Sequence, residues 1–182
     1  LAGLRMGVRV DREGQVLRDF HTAGQGAAER YQGYLQADGE SVGKGTLLSN
    51  RYYLADALFL VGLTGDETLL ATLHKALAQP RWMLFLGRKS CPPARPVYLR
   101  DGLRAEPLLE SLSRYPWLGS SRHEHKQMVA EKRSLRLVVE AEDGWDMRHD
   151  TPLSFEKGDR RFTYRRCVQD FLNEVPPFRP PF

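Results

Sequence analysis

The segment Met6-Gly7-Val8-Arg9-Val10, followed at once by Asp11-Arg12-Glu13-Gly14, decides how the chain begins to fold. Its apolar side chains alternate with glycine and arginine, which is the period of two expected for a strand with one buried face. The polar run after it predicts a turn. Because the chain begins at Leu1 rather than Met and enters this alternation almost at once, we expect N-terminal sequence to be missing.

A glycine-rich stretch follows, over residues 18–51. Its six glycines are interleaved with polar residues and with Phe20, Tyr31 and Tyr34. Such a composition cannot bury much apolar surface. We therefore predict a long hairpin or loop that protrudes from the body, and a loop of this length in a compact domain is usually functional or disordered. We call residues 18–51 the arm.

Apolar patterning returns after the arm. The run Tyr53-Leu54-Ala55-Asp56-Ala57-Leu58-Phe59-Leu60-Val61 predicts a buried central strand. Thr64-Gly65-Asp66 predicts a turn and a helix cap, and the leucines beyond it recur at helical spacing until Pro80. Residues 81–100 predict a loop and a strand rich in proline and cations.

Weaker signals continue toward the C-terminus. An early proline in Glu106-Pro107-Leu108-Leu109-Glu110-Ser111-Leu112 predicts a short helix. Two late strands are predicted around residues 135–139 and 162–164, joined by a polar connection through Asp143-Gly144. The proline-rich tail, residues 176–182, cannot continue regular structure and should lie on the surface or on a partner.

These elements indicate the fold class. Strands before and after single helices, without regular β-α-β alternation, predict an α+β fold with helices on one face of an antiparallel sheet. A chain of 182 residues with 41% hydrophobic residues suits one domain over residues 1–182. No apolar run approaches the roughly 18 residues of a membrane span. Cys91 and Cys167 lack a paired spacing, and with no signal peptide they favour the cytoplasm.

The distribution of charge points to a polyanionic partner more strongly than the net charge of +4 does. No acidic residue lies between Glu67 and Asp101, whereas that interval holds six cations: Lys75, Arg81, Arg88, Lys89, Arg95 and Arg100. Phosphate backbones respond to such local clusters of positive charge. The interval therefore favours binding of nucleic acid.

Within this interval, Phe85-Leu86-Gly87-Arg88-Lys89-Ser90-Cys91-Pro92 places glycine, two cations and a hydroxyl at adjacent positions. Backbone N–H groups and side chains could converge there on phosphate oxygens. The alternative is an ordinary solvated loop in which Phe85 and Cys91 pack inward, because basic loops are also common on proteins without a nucleic-acid role.

The arm carries side chains suited to unpaired bases: Arg18, His21, Thr22, Arg30, Tyr31 and Tyr34. Aromatic rings stack on bases for roughly 1–3 kcal/mol each. Arg51, where the arm rejoins the body, could meet a phosphate, whereas Tyr53 could equally be a core residue. The alternative for the whole arm is a disordered insertion.

Three motifs in order, Leu17-Arg18-Asp19-Phe20-His21-Thr22, Arg51-Tyr52-Tyr53-Leu54-Ala55-Asp56-Ala57 and Leu86-Gly87-Arg88-Lys89-Ser90-Cys91-Pro92, resemble the CasD family. Its members are RAMP-superfamily subunits of type I-E CRISPR Cascade complexes. The third motif is the most specific. Phe20 stands where the family pattern leads us to expect tyrosine, which keeps a stacking face and removes a hydroxyl.

The resemblance implies a ferredoxin-like, RRM-related RAMP domain with a protruding thumb hairpin, here residues 18–51, and with its N-terminal strand and helix missing. It implies a subunit that holds the 5′ handle of the guide RNA (crRNA) without catalysis or cofactor. Its partners would be the Cascade backbone subunit and large subunit, with target DNA reached only indirectly. The RNA-binding residues implied or favoured are Arg18, His21, Thr22, Arg51, Tyr53, Arg81, Phe85, Leu86, Gly87, Arg88, Lys89, Ser90 and Cys91.

Two rival functions remain open. A metal-independent endoribonuclease for the CRISPR repeat would need a base near the 2′-hydroxyl and a cation or acid near the leaving oxygen. His21, Tyr31 and Lys44 could supply such groups. A scaffold that contacts only protein is the other rival.

Two further motifs carry less weight. His123-Glu124-His125 is more typical of a solvated charged face than of a metal site, because no further ligands have a matching spacing. Asp159-Arg160-Arg161-Phe162-Thr163-Tyr164-Arg165-Arg166 indicates either a strand with a basic solvent face or a second contact for RNA or a partner. The sequence favours the solvent face.

Overall fold

The computed structural model of the protein describes residues 3–23, 34–35, 42–43, 46–119 and 121–180. The strands are β1 (Arg5–Arg12), β2 (Gln15–Ala23), β3 (Tyr34–Leu35), β4 (Val42–Gly43), β5 (Leu47–Ala55), β6 (Leu58–Thr64), β7 (Leu135–Glu140), β8 (Asp146–Glu156) and β9 (Asp159–Leu172). The helices are α1 (Glu67–Ala78), α2 (Leu108–Arg114) and α3 (Arg122–Ala130).

The chain divides into two compact units. The first, which we call the body, comprises residues 1–11 and 58–182, and the second comprises residues 12–57. The body contains a five-stranded sheet in the order β6-β1-β7-β9-β8, in which β1–β7, β7–β9 and β8–β9 pair antiparallel. The predicted α+β class with an antiparallel sheet is confirmed.

Helix α2 packs on the half of the body sheet formed by β6, β1 and β7. Its Leu112 lies in the core with Leu60 of β6, Leu137 of β7 and Tyr115. Gly7 allows this close approach, because a Cβ atom there would lie 2.7 Å from Leu112 Cδ1. Glycine in β1 thus brings the helix onto the sheet.

A buried ion pair lies on the same strand. The side chains of Arg9 and Asp11 are fully buried and their Nε and Oδ1 atoms are 2.6 Å apart. Arg9 also donates to the carbonyl oxygens of Leu112, Tyr115 and Pro116, at 2.7, 2.5 and 3.0 Å. The prediction of a strand at residues 6–10 is correct, but the alternation did not reveal that Arg9 is buried.

The second unit is built on the antiparallel pair β2–β5, which runs without a break from Gln15 opposite Ala55 to Ala23 opposite Leu47. Gly14 forms its turn from β1 with φ +77°, and a Cβ there would lie 2.7 Å from Ala55 O. The single strand predicted over residues 53–61 is wrong. Asp56, with φ 55°, lies between β5 and β6, because the backbone there turns rather than continuing extended.

Helix α1 confirms the predicted cap and stop. Asp66 accepts a hydrogen bond from the N–H group of Leu69 at 2.8 Å, and the helix ends at Ala78, two residues before Pro80. The short helix after Pro107 is also confirmed. The strand predicted within residues 81–100 is wrong, because that segment forms a loop throughout. Helix α3 and strand β8 were not predicted.

The described part of the tail packs on the body. Pro176 is buried, and Trp117 N donates to Pro177 O while Arg179 N donates to Trp117 O. Arg179 Nη1 also donates to Asp101 Oδ2 at 2.6 Å and to Tyr115 Oη at 2.9 Å. Residues 176–180 therefore pack on the surface of their own chain, with Pro177 and Pro180 left exposed.

These contacts shift the pKa values of Asp101 and Tyr115. Burial raises the pKa of the Asp101 carboxyl, but hydrogen bonds from Tyr115 and Arg179 outweigh it and leave that pKa below its usual value. Burial, together with the hydrogen bond to Asp101, raises the pKa of Tyr115 to about 12. The three side chains are therefore bound as a neutral phenol between a carboxylate and a guanidinium.

Candidate nucleic-acid interface

The backbone of residues 86–91 closes on itself. Leu86 N donates to Cys91 O at 2.8 Å, and Cys91 N donates to Arg88 O at 2.9 Å. Gly87 makes the closure possible, because its φ of +79° lies in a region that side-chain-bearing residues rarely adopt. We call residues 86–91 the basic loop.

The basic loop presents its cations to solvent. Arg88, Lys89 and Ser90 are exposed, and neither cation forms an ion pair within the described ranges of the chain. Cys91 is a half-buried free thiol whose sulfur lies 3.9 Å from Ser90 Oγ. Unneutralised charge beside a tight turn is an arrangement that binds anions.

Residues just before the basic loop are also exposed. Phe85 and Leu86 are 44% and 67% exposed to solvent. The inward packing of Phe85 that the solvated-loop alternative predicts is therefore only partial. The Arg81 guanidinium lies over the Trp82 ring at 5.8 Å, and that indole is 77% exposed. Exposed aromatic faces beside cations are suited to contact with bases.

The register of β2 and β5 divides the predicted arm residues between two faces. Residues directly opposite each other share a face, and successive residues alternate. His21, opposite Ser49, therefore shares one face with Arg51 and Tyr53, whereas Arg18 and Thr22 lie on the other face. The predicted arm residues therefore do not all share one face of the strand pair.

On the first face, His21 lies between a carboxylate and a cation. His21 Nε2 contacts Asp19 Oδ2 at hydrogen-bond distance and lies 3.4 Å from Arg51 Nη1. His21, Arg51 and Tyr53 are half-buried. With Asp19 opposite Arg51 in the strand register, the carboxylate can orient both side chains.

On the second face, Arg18 and Thr22 flank Phe20, which is 58% exposed. Across the pair, Tyr52 and Leu48 are 65% and 60% exposed. This face offers apolar and aromatic contact area around one exposed arginine. It suits stacking or apolar packing better than phosphate binding.

The two groups of predicted residues belong to different units: the arm residues lie within residues 12–57, and Arg81 and residues 85–91 lie in the body. Arg30, Tyr31 and Lys44 lie outside the described residues, as does the side chain of Tyr34.

Within the motif His123-Glu124-His125, His125 has a structural role. His125 Nε2 lies 2.8 Å from Pro176 O and its ring packs 5.5 Å from that of Trp117, so it contacts the tail. His123 is exposed. Within the described ranges, no group of three or more His, Cys, Asp or Glu side chains is arranged to hold a metal ion. None of the helices described is long and apolar enough to cross a bilayer.

A cluster of rings on β8 and β9 was not predicted as a unit. His149, Phe155, Phe162 and Tyr164 form successive ring contacts on the hairpin. The sequence indicated two of these rings, because Phe162 and Tyr164 are two residues apart in a predicted strand and so share a face. The partners on β8 were not evident, since two bulges interrupt the alternation there.

Comparison with known proteins gives consistent results. The family described as CRISPR-associated protein (Cas_Cas5) matches residues 1–168. The Escherichia coli (strain K12) protein named CRISPR system Cascade subunit CasD is 37% identical over 94 residues, which cover 50% of this chain and 38% of that protein. The matched region thus spans well under half of this curated relative.

Two solved structures are similar over nearly the whole chain. One, titled Crystal structure of Cas protein, has a TM-score of 0.68 and 36% identity, covering 97% of this chain and 71% of its own. The other, titled CRISPR RNA-guided surveillance complex, has a TM-score of 0.70 and 33% identity, covering 96% and 69%. With a family match over residues 1–168 and these structural similarities, the chain belongs to the CRISPR-associated Cas5 family.

Proposed function

We propose that this chain is a non-catalytic RNA-binding subunit of a type I-E CRISPR surveillance complex, Cascade, in which it holds the 5′ handle of the guide RNA. The ferredoxin-like, RRM-related description of the body is part of this proposal. So are its partners, the backbone subunit and the large subunit of the complex. The names of the similar proteins, a Cascade subunit and an RNA-guided surveillance complex, support the assignment.

The basic loop is the observation that carries the proposal. Arg88 and Lys89 are exposed and have no ion-pair partner in the described chain, and they follow directly on the turn at Gly87. A sugar-phosphate chain near one end of an RNA would neutralise both cations. Phe85, exposed beside the loop, could stack on an adjacent base.

In the arm, the two faces of the β2–β5 pair would contact different partners. Arg51, oriented next to His21 and Asp19, would contact a phosphate. Arg18 and Phe20, on the other face, would contact a base or a neighbouring subunit. A strand whose faces differ in this way can separate two partners, and this agrees with a thumb that lies between nucleotides.

The double substitution Arg88→Ala/Lys89→Ala should weaken binding of handle RNA about tenfold at low salt, because two charge-assisted contacts are lost. The slope of log affinity against log salt should fall by about 1.4, since each phosphate contact to a single strand contributes about 0.7. Filter binding or fluorescence anisotropy on the complex reconstituted with guide RNA measures both quantities.

Arg114→Ala serves as the matched control, because Arg114 is an exposed arginine of α2 that already pairs with Glu110. It should leave affinity and salt slope unchanged. Equal losses for Arg114→Ala and the loop variant would show that only general charge matters. A chain that binds no RNA at any salt would instead support the protein-only scaffold.

The contact of His21 with Asp19 and Arg51 favours an endoribonuclease as the second candidate, since a histidine between a carboxylate and a cation can transfer protons. We expect no cleavage. Incubating the purified chain with CRISPR repeat RNA in the presence of a chelator should leave the RNA intact. Specific cleavage that is lost in His21→Ala would contradict the proposal, whereas cleavage retained in His21→Ala would indicate a contaminating nuclease.

A further inference from the structure

The hairpin of β8 and β9 carries a row of packed rings, which we call the aromatic ladder: His149, Phe155, Phe162 and Tyr164. The centroids of His149 and Tyr164 lie 4.5 Å apart, those of His149 and Phe162 6.4 Å, and those of Phe155 and Phe162 6.0 Å with the rings edge-on. His149 Nε2 donates to Phe162 O at 3.0 Å, which fixes the imidazole between the two rings of β9.

The aromatic ladder faces solvent rather than the core. Phe155 is 68% exposed, Tyr164 59% and Phe162 39%. Isolated exposed aromatics need no explanation, but a contiguous row of them on one face of a sheet marks an interaction surface. The ladder is therefore a candidate binding surface that neither the basic loop nor the arm includes.

Two cations bracket the aromatic ladder on the same face. Arg160, Phe162, Tyr164 and Arg166 occupy alternate positions of β9, which runs without a bulge, so their side chains share a face. Both arginines are exposed, and neither forms an ion pair within the part of the chain that the structure describes. The ladder thus has positive charge at both ends.

Three carboxylates of the hairpin pair with arginines other than Arg160 and Arg166. Asp159 pairs with Arg161 and Asp146 with Arg148, while Asp150 binds Arg165 through two hydrogen bonds at 2.6 and 2.8 Å. Arg161 and Arg165 lie at the odd positions of β9, on the opposite face. The hydrogen bonds from Arg165 also hold the pKa of Asp150 below its usual value. These three carboxylates are therefore neutralised on one face, whereas Arg160 and Arg166 stay unpaired on the other, which Asp170 shares at the far end of β9.

We propose that the aromatic ladder binds single-stranded RNA by stacking of unpaired bases, with Arg160 and Arg166 contacting phosphates. A polyanion with exposed π faces matches both the rings and the two unpaired cations, whereas an apolar protein partner would leave the arginines unneutralised. The inference goes beyond the proposed function, because it concerns a second RNA contact that does not involve the basic loop or the arm.

The spacing of the rings favours unpaired bases. Phe162 and Tyr164 are two residues apart along the strand, or roughly 7 Å. Bases in a duplex rise only about 3.4 Å per step, so neighbouring bases cannot each lie on one ring while they stay stacked on each other. The ladder should therefore accept a splayed single strand and reject a duplex.

The decisive variant is Phe162→Ala/Tyr164→Ala in the full chain. Its affinity for a labelled, uridine-rich single-stranded RNA, measured by fluorescence anisotropy, should fall at least about tenfold, since each stacked base is worth roughly 1–3 kcal/mol. Phe162→Tyr/Tyr164→Phe keeps both rings and should bind like the parent chain. Phe171→Ala, on the opposite face of the same strand and 49% exposed, is the matched control and should have no effect.

Charge can be tested separately with Arg160→Gln/Arg166→Gln. The salt slope of binding to the same RNA should fall by about 1.4, which corresponds to two phosphate contacts on a single strand. A duplex RNA of equal length should bind with an affinity that Phe162→Ala/Tyr164→Ala does not change, because its bases are not free to stack on the rings. Circular dichroism of each variant must show the parent fold, so that a loss of affinity reports on the surface.

Photocrosslinking with 4-thiouridine RNA separates this inference from the proposed function. Crosslinks to β9 peptides support the ladder even if the basic loop gives none, and crosslinks to residues 86–91 alone support only the proposed function. Unchanged RNA affinity in a folded Phe162→Ala/Tyr164→Ala chain would overturn the inference. It would also be overturned by stronger ring-dependent binding of a DNA oligonucleotide, or by loss of a protein partner with RNA affinity intact.

Discussion

Replacing Arg9 by methionine should lower the free energy of unfolding by about 3–5 kcal/mol, because it leaves Asp11 as a buried charge without its partner. Both side chains are fully inaccessible to solvent. The substitution would also remove the donor to the carbonyl oxygens of Leu112, Tyr115 and Pro116. Urea unfolding of the full chain, followed by circular dichroism, measures the loss.

A closely matched pair controls for this prediction. Arg133 and Glu131 are also two residues apart, with the same 2.6 Å between Nε and the carboxylate oxygen, but their side chains are 63% and 42% exposed. Arg133→Met should cost no more than about 1 kcal/mol, because exposed pairs contribute little. Similar losses for the two variants would show that burial does not decide the strength of the Arg9–Asp11 pair.

The Arg9–Asp11 pair also shows which part of the fold could not be predicted from the sequence. The alternation in residues 6–10 correctly predicts β1, since the period of two is a local property. It assigns Arg9 to the polar face, however, because the carbonyl groups that accept its hydrogen bonds come from residues more than a hundred positions away. Only the packing of α2 on the sheet brings them to Arg9.

Local signals predict the elements with capped ends. Asp66 and Pro80 delimit α1 as expected, and Pro107 precedes α2. By contrast, α3 contains few apolar residues, and β8 combines a proline with two bulges, so neither shows a clear period. The break at Asp56 was missed because the apolar run on either side of it hides a change of backbone direction.

The two candidate sites also differ in how much of each could be predicted from the sequence. The basic loop is contiguous in sequence, so its cations, glycine and hydroxyl could be grouped correctly before the fold was known. Assigning the arm residues to faces required the register of β2 and β5, which the sequence alone does not give. Arg18 and His21 are three residues apart, and an odd separation in a strand places side chains on opposite faces. That rule could have separated them, but only once both residues were assigned to one strand.

The second large effect concerns Trp117, which is fully buried. Trp117→Ala should lower the free energy of unfolding by about 3–5 kcal/mol, the usual cost of removing a buried aromatic ring. The indole donates from Nε1 to Asp11 O at 3.2 Å and packs against the rings of His125 and Phe178. The substitution therefore opens a cavity next to the buried ion pair and removes the surface on which the tail lies.

Trp145→Ala is the control, since Trp145 is 72% exposed and its loss should change stability by no more than about 0.5 kcal/mol.

Amide hydrogen exchange distinguishes a role in holding the tail from simple loss of core packing. In Trp117→Ala, the Arg179 N–H group, which donates to Trp117 O, should exchange faster than amides of β7 at a denaturant concentration where the sheet stays folded. Gly119→Ala should have a similar effect, because its Cβ would lie 1.8 Å from the indole and displace it. Uniform acceleration across β7 and the tail would mean that Trp117 stabilises the whole body rather than the tail in particular.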